Sequence, residues 1–376
     1  MTTAPASPQS PLQHLFPGAH VARVRAADVV WDHGDLTAEY EAIRGSVAKI
    51  DLSGAGLVEV TGPDAYDLLQ QALARDLEFV TPEQSLISLL LDENGVAEDV
   101  VTVYHVDDGY RLETAVGRGP GTVAHLSALR DAAGLQADVA DRAGDVTVIL
   151  VEGPQAARAL EDGIDPDLGA LPLSGIMEVD WNGVALSVSR TGFTGEYGYK
   201  LFVAAADAPT VWAGLTEPTA AGLGALEVAM FEVRQPLLHR EMPTGDSANL
   251  PATNPHSALE SGYAWLIDIT KESFHGRDAV LGAFESGVRS RVVGYVVPDA
   301  RAAVPQGAEV RIGDEVVGES LHSVFSPGRG EWIGLARLRP ELIAPQIDVT
   351  VGSDGGSLAA RTISAPYVIP ASWKVR

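Results

Sequence analysis

The first half of the chain alternates between helical and extended hydrophobic patterns. Apolar residues have helical spacing over 38–50, whereas apolar and polar residues alternate from Gly56 to Thr61, which predicts a strand. A second helix is predicted after the turn Gly62-Pro63, with Asp64 as its N-cap. This succession of strand, Gly-Pro turn and helix recurs from Val146 onward, so the pattern predicts two related α+β units.

A β-hairpin is predicted within the first of these units. Residues 85–91 are a largely apolar run, Asp92-Glu93-Asn94-Gly95 contains the Asn-Gly pair typical of a tight turn, and residues 100–105 form the return strand. Further along, the apolar residues of Gly222 to Gln235 predict a helix that Pro236 ends.

The hydrophobic pattern changes after Pro255. Apart from a helical pattern at 277–284, short alternating segments such as RVVGYVV and WIGLARL follow, separated by Gly and Pro roughly every 8–12 residues. This spacing predicts a small antiparallel β-barrel or sandwich. A domain boundary is therefore expected near 270–285.

Composition and charge narrow the class of protein. The chain has 376 residues, enough for two or three domains, and its 46% hydrophobic and 20% charged residues are ordinary for a packed protein. The 51 acidic and 26 basic residues give a formal net charge of −25, which disfavours nucleic acid, anionic membranes and strongly acidic protein partners. No cysteine is present, which excludes disulfides and thiolate chemistry.

Signals for export, membrane insertion and metal binding are weak. The first residues, MTTAPASPQSPLQ, have neither the charged nor the apolar part of a secretory signal, and no apolar run approaches the roughly 18 residues of a membrane span. We therefore expect a cytoplasmic protein. The nine histidines form no HExxH motif or His-x-His cluster, so no metal site is predicted.

Three stretches of sequence carry a resemblance to a known family. They are RTGFTGEYGYKL at Arg190 to Leu201, AGLGALEVAMFEVRQPLLHREM at Ala221 to Met242, and NGVAED at Asn94 to Asp99, supported by VTGPDAYDLLQ and by FSP at 325–327. From about residue 36 to the C-terminus, their order and spacing resemble the aminomethyltransferase (T-protein) family of the glycine cleavage system. The motif R-T-G-[FY]-T-G-E-x-G-[YF] is long and specific.

The resemblance implies an α+β fold with three domains in a cloverleaf and a C-terminal β-barrel. The expected domains are a discontinuous folate-binding domain at 1–52 and 140–270, a second α+β domain at 53–139 that carries the catalytic hairpin, and the barrel at 271–376. The resemblance also implies tetrahydrofolate as the cofactor, bound in the central opening, and a reaction that joins a folate nitrogen to a one-carbon unit.

Asp99 directly follows the hairpin turn, and the resemblance implies a catalytic carboxylate here that faces the reacting folate nitrogen. Transfer of carbon to or from nitrogen passes through a cationic amine, which a fixed carboxylate in a dry pocket stabilises while it shuttles a proton. Asp is also common as a capping residue beside Asn-Gly turns, so the residue pattern alone leaves a structural role open.

Glu196 lies in TGEYG at 194–198, where two glycines allow the backbone to approach a ligand closely. The resemblance implies that its carboxylate binds the pterin edge of folate, whose amino group and ring N–H are paired donors. An exposed Glu in a Gly-rich hairpin is the structural alternative. Thr194 and Phe193 are further cofactor-binding candidates, and Phe193 is equally consistent with a core aromatic.

A glycine-rich segment at 117–121, GRGPG, provides one more candidate. Its proline removes an amide donor and no Lys-Ser or Lys-Thr follows, so it does not predict a phosphate loop. Arg118 in this segment is predicted to bind cofactor, as a partner for the glutamate tail of folate.

Several family positions differ in this sequence. The family motif G-L-G-A-R-D is GLGALE at 222–227, so Leu226 replaces the pocket arginine. Arg234 lies about 12 Å further along the helix and cannot take over that position. Loss of a buried arginine leaves its partner charge uncompensated, so either the substrate differs from that of the family and is less anionic, or the site is decayed. The presence of both Asp99 and Glu196 favours a different substrate.

The sequence therefore predicts a tetrahydrofolate-dependent one-carbon transferase that acts on a small molecule, in either direction of transfer. A true glycine cleavage aminomethyltransferase, which meets an acidic lipoyl carrier protein, is an alternative that the net charge disfavours. A folate-independent enzyme that reuses the cavity is another. A non-catalytic folate-binding protein of the iron–sulfur-assembly branch is disfavoured because that branch carries a cysteine motif.

Overall fold

The computed structural model describes residues 9–374 except 108, 162, 166–167, 242–256 and 299–302. Its helices are α1 (Leu36–Gly45), α2 (Ala65–Ala72), α3 (Gly119–Ala133), α4 (Ala156–Glu161), α5 (Ala208–Gly214), α6 (Leu223–Glu232), α7 (Leu238–Glu241) and α8 (Arg277–Ser286). Its strands are β1 (His20–Val24), β2 (Ala27–Asp32), β3 (Ala48–Asp51), β4 (Ala55–Thr61), β5 (Ser85–Leu91), β6 (Ala97–Val106), β7 (Gly109–Val116), β8 (Asp138–Asp141), β9 (Val146–Glu152), β10 (Ile164–Asp165), β11 (Ile176–Trp181), β12 (Val184–Ser189), β13 (Gly198–Ala204), β14 (Thr219–Ala221), β15 (Arg291–Val297), β16 (Glu309–Ile312), β17 (Glu315–Ser326), β18 (Glu331–Leu338), β19 (Asp348–Ser353) and β20 (Gly356–Ile363).

The chain divides into two compact units. The first consists of Met1–Ser88, Asp99–Ala229 and Pro370–Arg376, and the second of Leu89–Glu98 and Met230–Ile369. Every residue that forms the candidate site described below lies in the first unit. The three-domain division expected from the sequence stays a prediction.

The larger sheet of the first unit has seven strands in the order β10-β11-β12-β13-β9-β3-β14. Its pairs are antiparallel except for β14 and β3, which run parallel. In β9 every residue after Val146 is buried, which explains the continuous apolar run in the sequence. The prediction of helix for residues 48–50 is wrong, because α1 ends at Gly45 and these residues pair with β9 and β14 instead.

A second sheet has the strand order β5-β6-β7-β4-β8, and the predicted hairpin forms its β5–β6 edge. Helix α3 packs over β4 at a point where only glycine fits, because a Cβ atom on Gly56 would lie 2.2 Å from the Cα atom of Gly119. Pro120 falls in the first turn of α3, where a missing amide donor is tolerated, so the helix starts inside the predicted glycine-proline break. Asp64 precedes α2 as predicted, but its carboxylate accepts a hydrogen bond from Gln136 N instead of capping the helix.

A two-stranded hairpin of β1 and β2 near the N-terminus was not predicted from the sequence. It lies against α6, since a Cβ atom on Gly224 would come 2.8 Å from the indole ring of Trp31. Glu39 connects the end of β2 to the start of α6, because its carboxylate accepts hydrogen bonds from His33 N (2.6 Å) and from Gly222 N (2.8 Å). The glycines that open α6 therefore allow close approach of the hairpin.

The second unit contains a closed barrel of six strands in the order β15-β18-β17-β16-β19-β20, which confirms the predicted C-terminal barrel. Its interior is a cluster of buried side chains that includes Tyr295, Val297, Leu338 and Val351. Helix α8 covers the predicted helical segment at 277–284. Among the described residues, no helix is long and apolar enough to cross a membrane.

Candidate functional site

Asp99 lies on β6 and is completely buried. Its Oδ1 atom accepts a hydrogen bond from Ala115 N on the neighbouring strand β7 (3.2 Å), and its Oδ2 atom accepts one from the Thr122 hydroxyl on α3 (2.9 Å). The carboxylate is therefore fixed between a sheet and a helix, and it does not cap the hairpin turn. In that turn Asp92 takes the capping role by accepting hydrogen bonds from Asn94 N and Val96 N.

The surroundings of Asp99 shift the ionisation of its carboxyl group toward neutral pH. Burial raises the pKa of the Asp99 carboxyl to about 6, and Arg118, Thr122, Arg25 and Ala115 oppose this rise. A carboxyl group with a pKa of about 6 is ionised at neutral pH and can still accept and return a proton.

Two arginines form the positive side of this site. Arg118 is the N-cap residue of α3, and its Nε atom is buried and without a hydrogen-bond partner in the described part of the chain. Arg25 lies in the turn between β1 and β2, and burial lowers its pKa to about 10 while Asp99 and Glu227 raise it. Leu226 and the next residue on α6, Glu227, are both buried. The charged side chain at this pair of positions is therefore a carboxylate and not a guanidinium.

Three of the predicted folate-binding residues, Phe193, Thr194 and Glu196, lie together in the loop between β12 and β13, and Glu152 holds that loop. The buried Glu152 carboxylate accepts hydrogen bonds from Phe193 N (2.9 Å), from Thr194 N (2.6 Å) and from the Thr194 hydroxyl (2.6 Å). Burial raises the pKa of Glu152, against the effect of these donors. Thr194 is thus buried and used for loop structure.

Glu196 is buried, which excludes the exposed alternative considered from the sequence. Its carboxylate oxygens accept hydrogen bonds from Ala371 N (2.8 Å), Ser372 N (2.8 Å) and the Ser372 hydroxyl (2.6 Å). Arg44 lies 3.5 Å away and also donates to the Thr194 carbonyl (2.8 Å). The C-terminal turn therefore presents to Glu196 the paired donors that a pterin edge would present.

Phe193 is half-buried and lies on a buried ion pair. Lys200 Nζ is 3.9 Å from the centroid of the Phe193 ring and 2.6 Å from Glu113 Oε2. Glu113 also accepts a hydrogen bond from the Tyr104 hydroxyl (2.9 Å). One face of Phe193 is therefore used by Lys200, and a ligand ring can stack only on the other face.

The predicted residues form two groups. Asp99 and Arg118 belong to one, and Phe193, Thr194 and Glu196 belong to the other. No hydrogen bond in the described residues joins Asp99 to Glu196, but neither carboxylate lies on the surface. Strand β7 connects the groups, because Ala115 donates to Asp99 and Glu113, two residues away on the same strand, pairs with Lys200.

Sequence reasoning missed several polar residues of this region. Two of them carry a signal that could have found them, namely a charged residue inside or at the end of an apolar strand: Lys200 in GYKLFVA and Glu152 at the end of VTVILVE. Arg25 and Arg44 carry no such signal. Within the residues described, no group of three or more His, Asp or Glu side chains is placed to hold a metal ion.

Comparisons with known proteins match this architecture. The GCVT N-terminal domain matches residues 17–271, and the glycine cleavage T-protein C-terminal barrel domain matches residues 290–368. The aminomethyltransferase of Rubrobacter xylanophilus is 30% identical over 88% of this chain and 86% of its own length, and that of Symbiobacterium thermophilum is 30% identical over 94% and 95%. The crystal structure of the glycine cleavage system aminomethyltransferase T from Bartonella henselae has a TM-score of 0.85 and 20% identity, over 96% of this chain and 98% of that chain.

The mixed helix and strand fold with a six-stranded C-terminal barrel is thus that of the T-protein class. The chain belongs to the aminomethyltransferase family. The resemblance inferred from the sequence motifs is confirmed.

Proposed function

We propose that this protein is a tetrahydrofolate-dependent one-carbon transferase that acts on a small-molecule substrate. The observation that carries the proposal is Asp99, a completely buried carboxylate with a pKa of about 6 held by two donors. Such a group stabilises positive charge on a reacting nitrogen and exchanges a proton with it near neutral pH. Membership of the aminomethyltransferase family supports the same reaction class.

The donor and acceptor groups of the site fit a folate in part. The buried Nε atom of Arg118 has no hydrogen-bond partner among the described residues and suits a carboxylate of the glutamate tail. Glu196 suits the pterin donors, although binding there requires the C-terminal turn at Ala371 and Ser372 to release the carboxylate. Phe193 would wall one side of the ring. Tetrahydrofolate supplies the nitrogen that carries the one-carbon unit, and Asp99 holds the charge that develops on it.

Isothermal titration with tetrahydrofolate tests this assignment. We expect saturable binding to the wild-type protein and to Asp99→Asn, with turnover lost by roughly 10²–10⁴-fold in that variant because its charge and proton exchange are gone. Unchanged turnover in Asp99→Asn would move the chemistry to another residue. Absence of tetrahydrofolate binding would favour a folate-independent enzyme, the alternative that the engaged carboxylate of Glu196 supports.

A true glycine cleavage aminomethyltransferase is the second candidate. The names of relatives that match nearly the full chain support it. Against it stand the replacement of the family arginine by the buried Leu226 and the net charge of −25. Normal turnover with a lipoylated carrier protein would establish this second candidate and remove the small-molecule assignment. A cytoplasmic location stays a prediction.

A further inference from the structure

Arg25 has an unusual environment. It adopts a left-handed backbone conformation (φ 52°) in the turn between β1 and β2. All three of its guanidinium nitrogens are shielded from solvent, and none has a hydrogen-bond partner among the residues that the structure describes. A shielded guanidinium with five unsatisfied N–H donors is unfavourable, and folded proteins retain such groups where a bound water, an ion or a ligand supplies the partner.

The turn that carries Arg25 is held in place by a glycine. Gly117 has φ 72°, and a Cβ atom there would lie 2.7 Å from the carbonyl oxygen of Val24 and 2.8 Å from both Ala26 N and the Cβ atom of Arg25. The hairpin tip therefore rests directly on the segment that carries Arg118. This contact fixes where the Arg25 side chain begins.

The charges around Arg25 indicate which kind of ligand its guanidinium group can bind. Asp99, Arg118 and Glu227 all act on it electrostatically, so two guanidinium groups and two carboxylates share this region. Their formal charges cancel. A ligand that brings one carboxylate and one cationic nitrogen adds no net charge, because the nitrogen is stabilised by Asp99 and the carboxylate by a guanidinium. A guanidinium matches a carboxylate through two parallel hydrogen bonds.

We propose that Arg25 binds a carboxylate of the small-molecule substrate and thereby selects substrates in which a carboxylate lies close to the reacting nitrogen. This inference rests on the proposed function, in which Asp99 faces the folate nitrogen, since the substrate nitrogen must lie beside that nitrogen when the one-carbon unit passes between them. The family arginine is absent at Leu226, but Arg25 on the N-terminal hairpin interacts electrostatically with Glu227, the next residue of α6, so an anionic group on the substrate is again expected.

The glutamate tail of folate is the other possible source of a carboxylate. In folate the aminobenzoyl ring separates the reacting nitrogens from the glutamate, whereas Arg25 is close enough to Asp99 for each to influence the charge of the other. On this ground the carboxylate at Arg25 is assigned to the substrate and not to the glutamate tail. Because the guanidinium is shielded, the Arg25 side chain or the side chains around it must move when that carboxylate binds.

Binding of matched ligands to the full chain tests the proposal without turnover. The probes are N-methylglycine and dimethylamine, which differ by one carboxylate, each titrated in the presence of tetrahydrofolate. The wild-type protein is expected to bind N-methylglycine at least about tenfold more tightly. Arg25→Met should abolish this preference and leave dimethylamine binding unchanged, and Arg25→Lys should keep part of it. Arg361→Met, at an exposed arginine on β20, is the matched control and should behave as wild type.

The alternative results are distinct. Equal weakening of both probes in Arg25→Met, an unchanged preference, or no binding of N-methylglycine to wild type would each overturn the proposal. Loss of tetrahydrofolate affinity in Arg25→Met, with tetrahydropteroate affinity unchanged, would assign the residue to the glutamate tail and also overturn it. If N-methylglycine binding depends on Arg25 but tetrahydrofolate does not bind at all, the result supports the carboxylate site at Arg25 and contradicts the folate-dependent function.

Discussion

At the scale of single residues, Asp99 should make stability depend on pH in a direction that its environment fixes. Its pKa rises from the model-compound value of 3.8 to about 6 in the folded protein. The native state therefore holds a proton that the unfolded state releases, and this contribution to stability is lost as pH rises through about 6. Asp99→Asn removes the buried charge, so the variant should be more stable than wild type at pH 8, and the difference should shrink toward pH 4.

Urea unfolding at several pH values measures this effect. A shift of about two pKa units corresponds to at most about 3 kcal/mol in the free energy of unfolding, at about 1.4 kcal/mol per unit. Asp67→Asn, an exposed aspartate on α2, is the control and should show no such pH-dependent difference. A constant difference between Asp99→Asn and wild type across this range would mean that the carboxyl group does not titrate there.

Glu196 has two candidate roles that a pair of variants can separate. If it binds the pterin, Glu196→Gln should weaken tetrahydrofolate binding by about 10- to 100-fold, since hydrogen bonds to a charged group are lost. Ser372→Ala removes one donor of the C-terminal turn and leaves the carboxylate intact, so it should keep or increase the affinity. Isothermal titration gives the dissociation constant of tetrahydrofolate for both variants.

The result that contradicts a pterin-binding Glu196 is equally clear. If Glu196→Gln binds tetrahydrofolate as wild type does, while both variants lower the midpoint of thermal unfolding, Glu196 serves the C-terminal turn only. The sequence could not reveal this second role, because Glu196 and Ala371 are 175 residues apart. Local motifs predict which residue is important and leave its distant partners undefined.

At the scale of secondary-structure elements, the buried pair of Lys200 on β13 and Glu113 on β7 joins the seven-stranded sheet to the five-stranded sheet. Removing one partner leaves an uncompensated buried charge, so Lys200→Met should lower the free energy of unfolding by about 3–5 kcal/mol. Adding Glu113→Gln to that variant should restore much of the loss. The exposed pair of Arg23 and Asp28 is the control, and Arg23→Met should cost at most about 1 kcal/mol.

Chemical unfolding of the single and double variants gives the coupling between the two residues. Additive losses in the double variant would show that the pair contributes no specific interaction. Tetrahydrofolate affinity is a second measurement, because the ring of Phe193, a candidate folate-binding residue, lies on Lys200. A change in tetrahydrofolate affinity in Lys200→Met would link this pair to the ligand site.

Elements with a strong local pattern were predicted well. The apolar run at 85–91 coincides with β5, and the Asn-Gly turn follows it. Residues 48–50 were mistaken for helix because their apolar spacing is compatible with either structure, and pairing with β9 decided between the two. The β1–β2 hairpin was missed because alternation is poor in HVARVRAADVVWD, so the position of Arg25 could not be predicted either.

At the scale of the whole molecule, family and fold follow from motifs spread along the chain, whereas the substrate does not. The family motifs define the fold and the carboxylate of Asp99, and similar relatives match nearly the full length. Leu226, which replaces the family arginine, lies on α6, whereas Arg25 lies in the turn between β1 and β2, and only folding brings Arg25 under the influence of Asp99 and of Glu227, the neighbour of Leu226. The substrate preference proposed for this chain therefore depends on tertiary contacts that no single motif contains.

The net negative charge should make association with an acidic carrier protein depend on salt. With 51 acidic and 26 basic residues, the protein should repel an acidic lipoyl carrier protein at long range. Salt screens this repulsion over about 10 Å at 0.1 M, so any association with the carrier should strengthen as ionic strength rises from about 0.01 to 0.15 M. Fluorescence titration with lipoylated carrier measures the effect, and the unlipoylated carrier separates electrostatics from contacts of the lipoyl arm. Tight binding at low salt that weakens on adding salt would indicate a local basic docking surface, and it would favour a true glycine cleavage role over a small-molecule substrate.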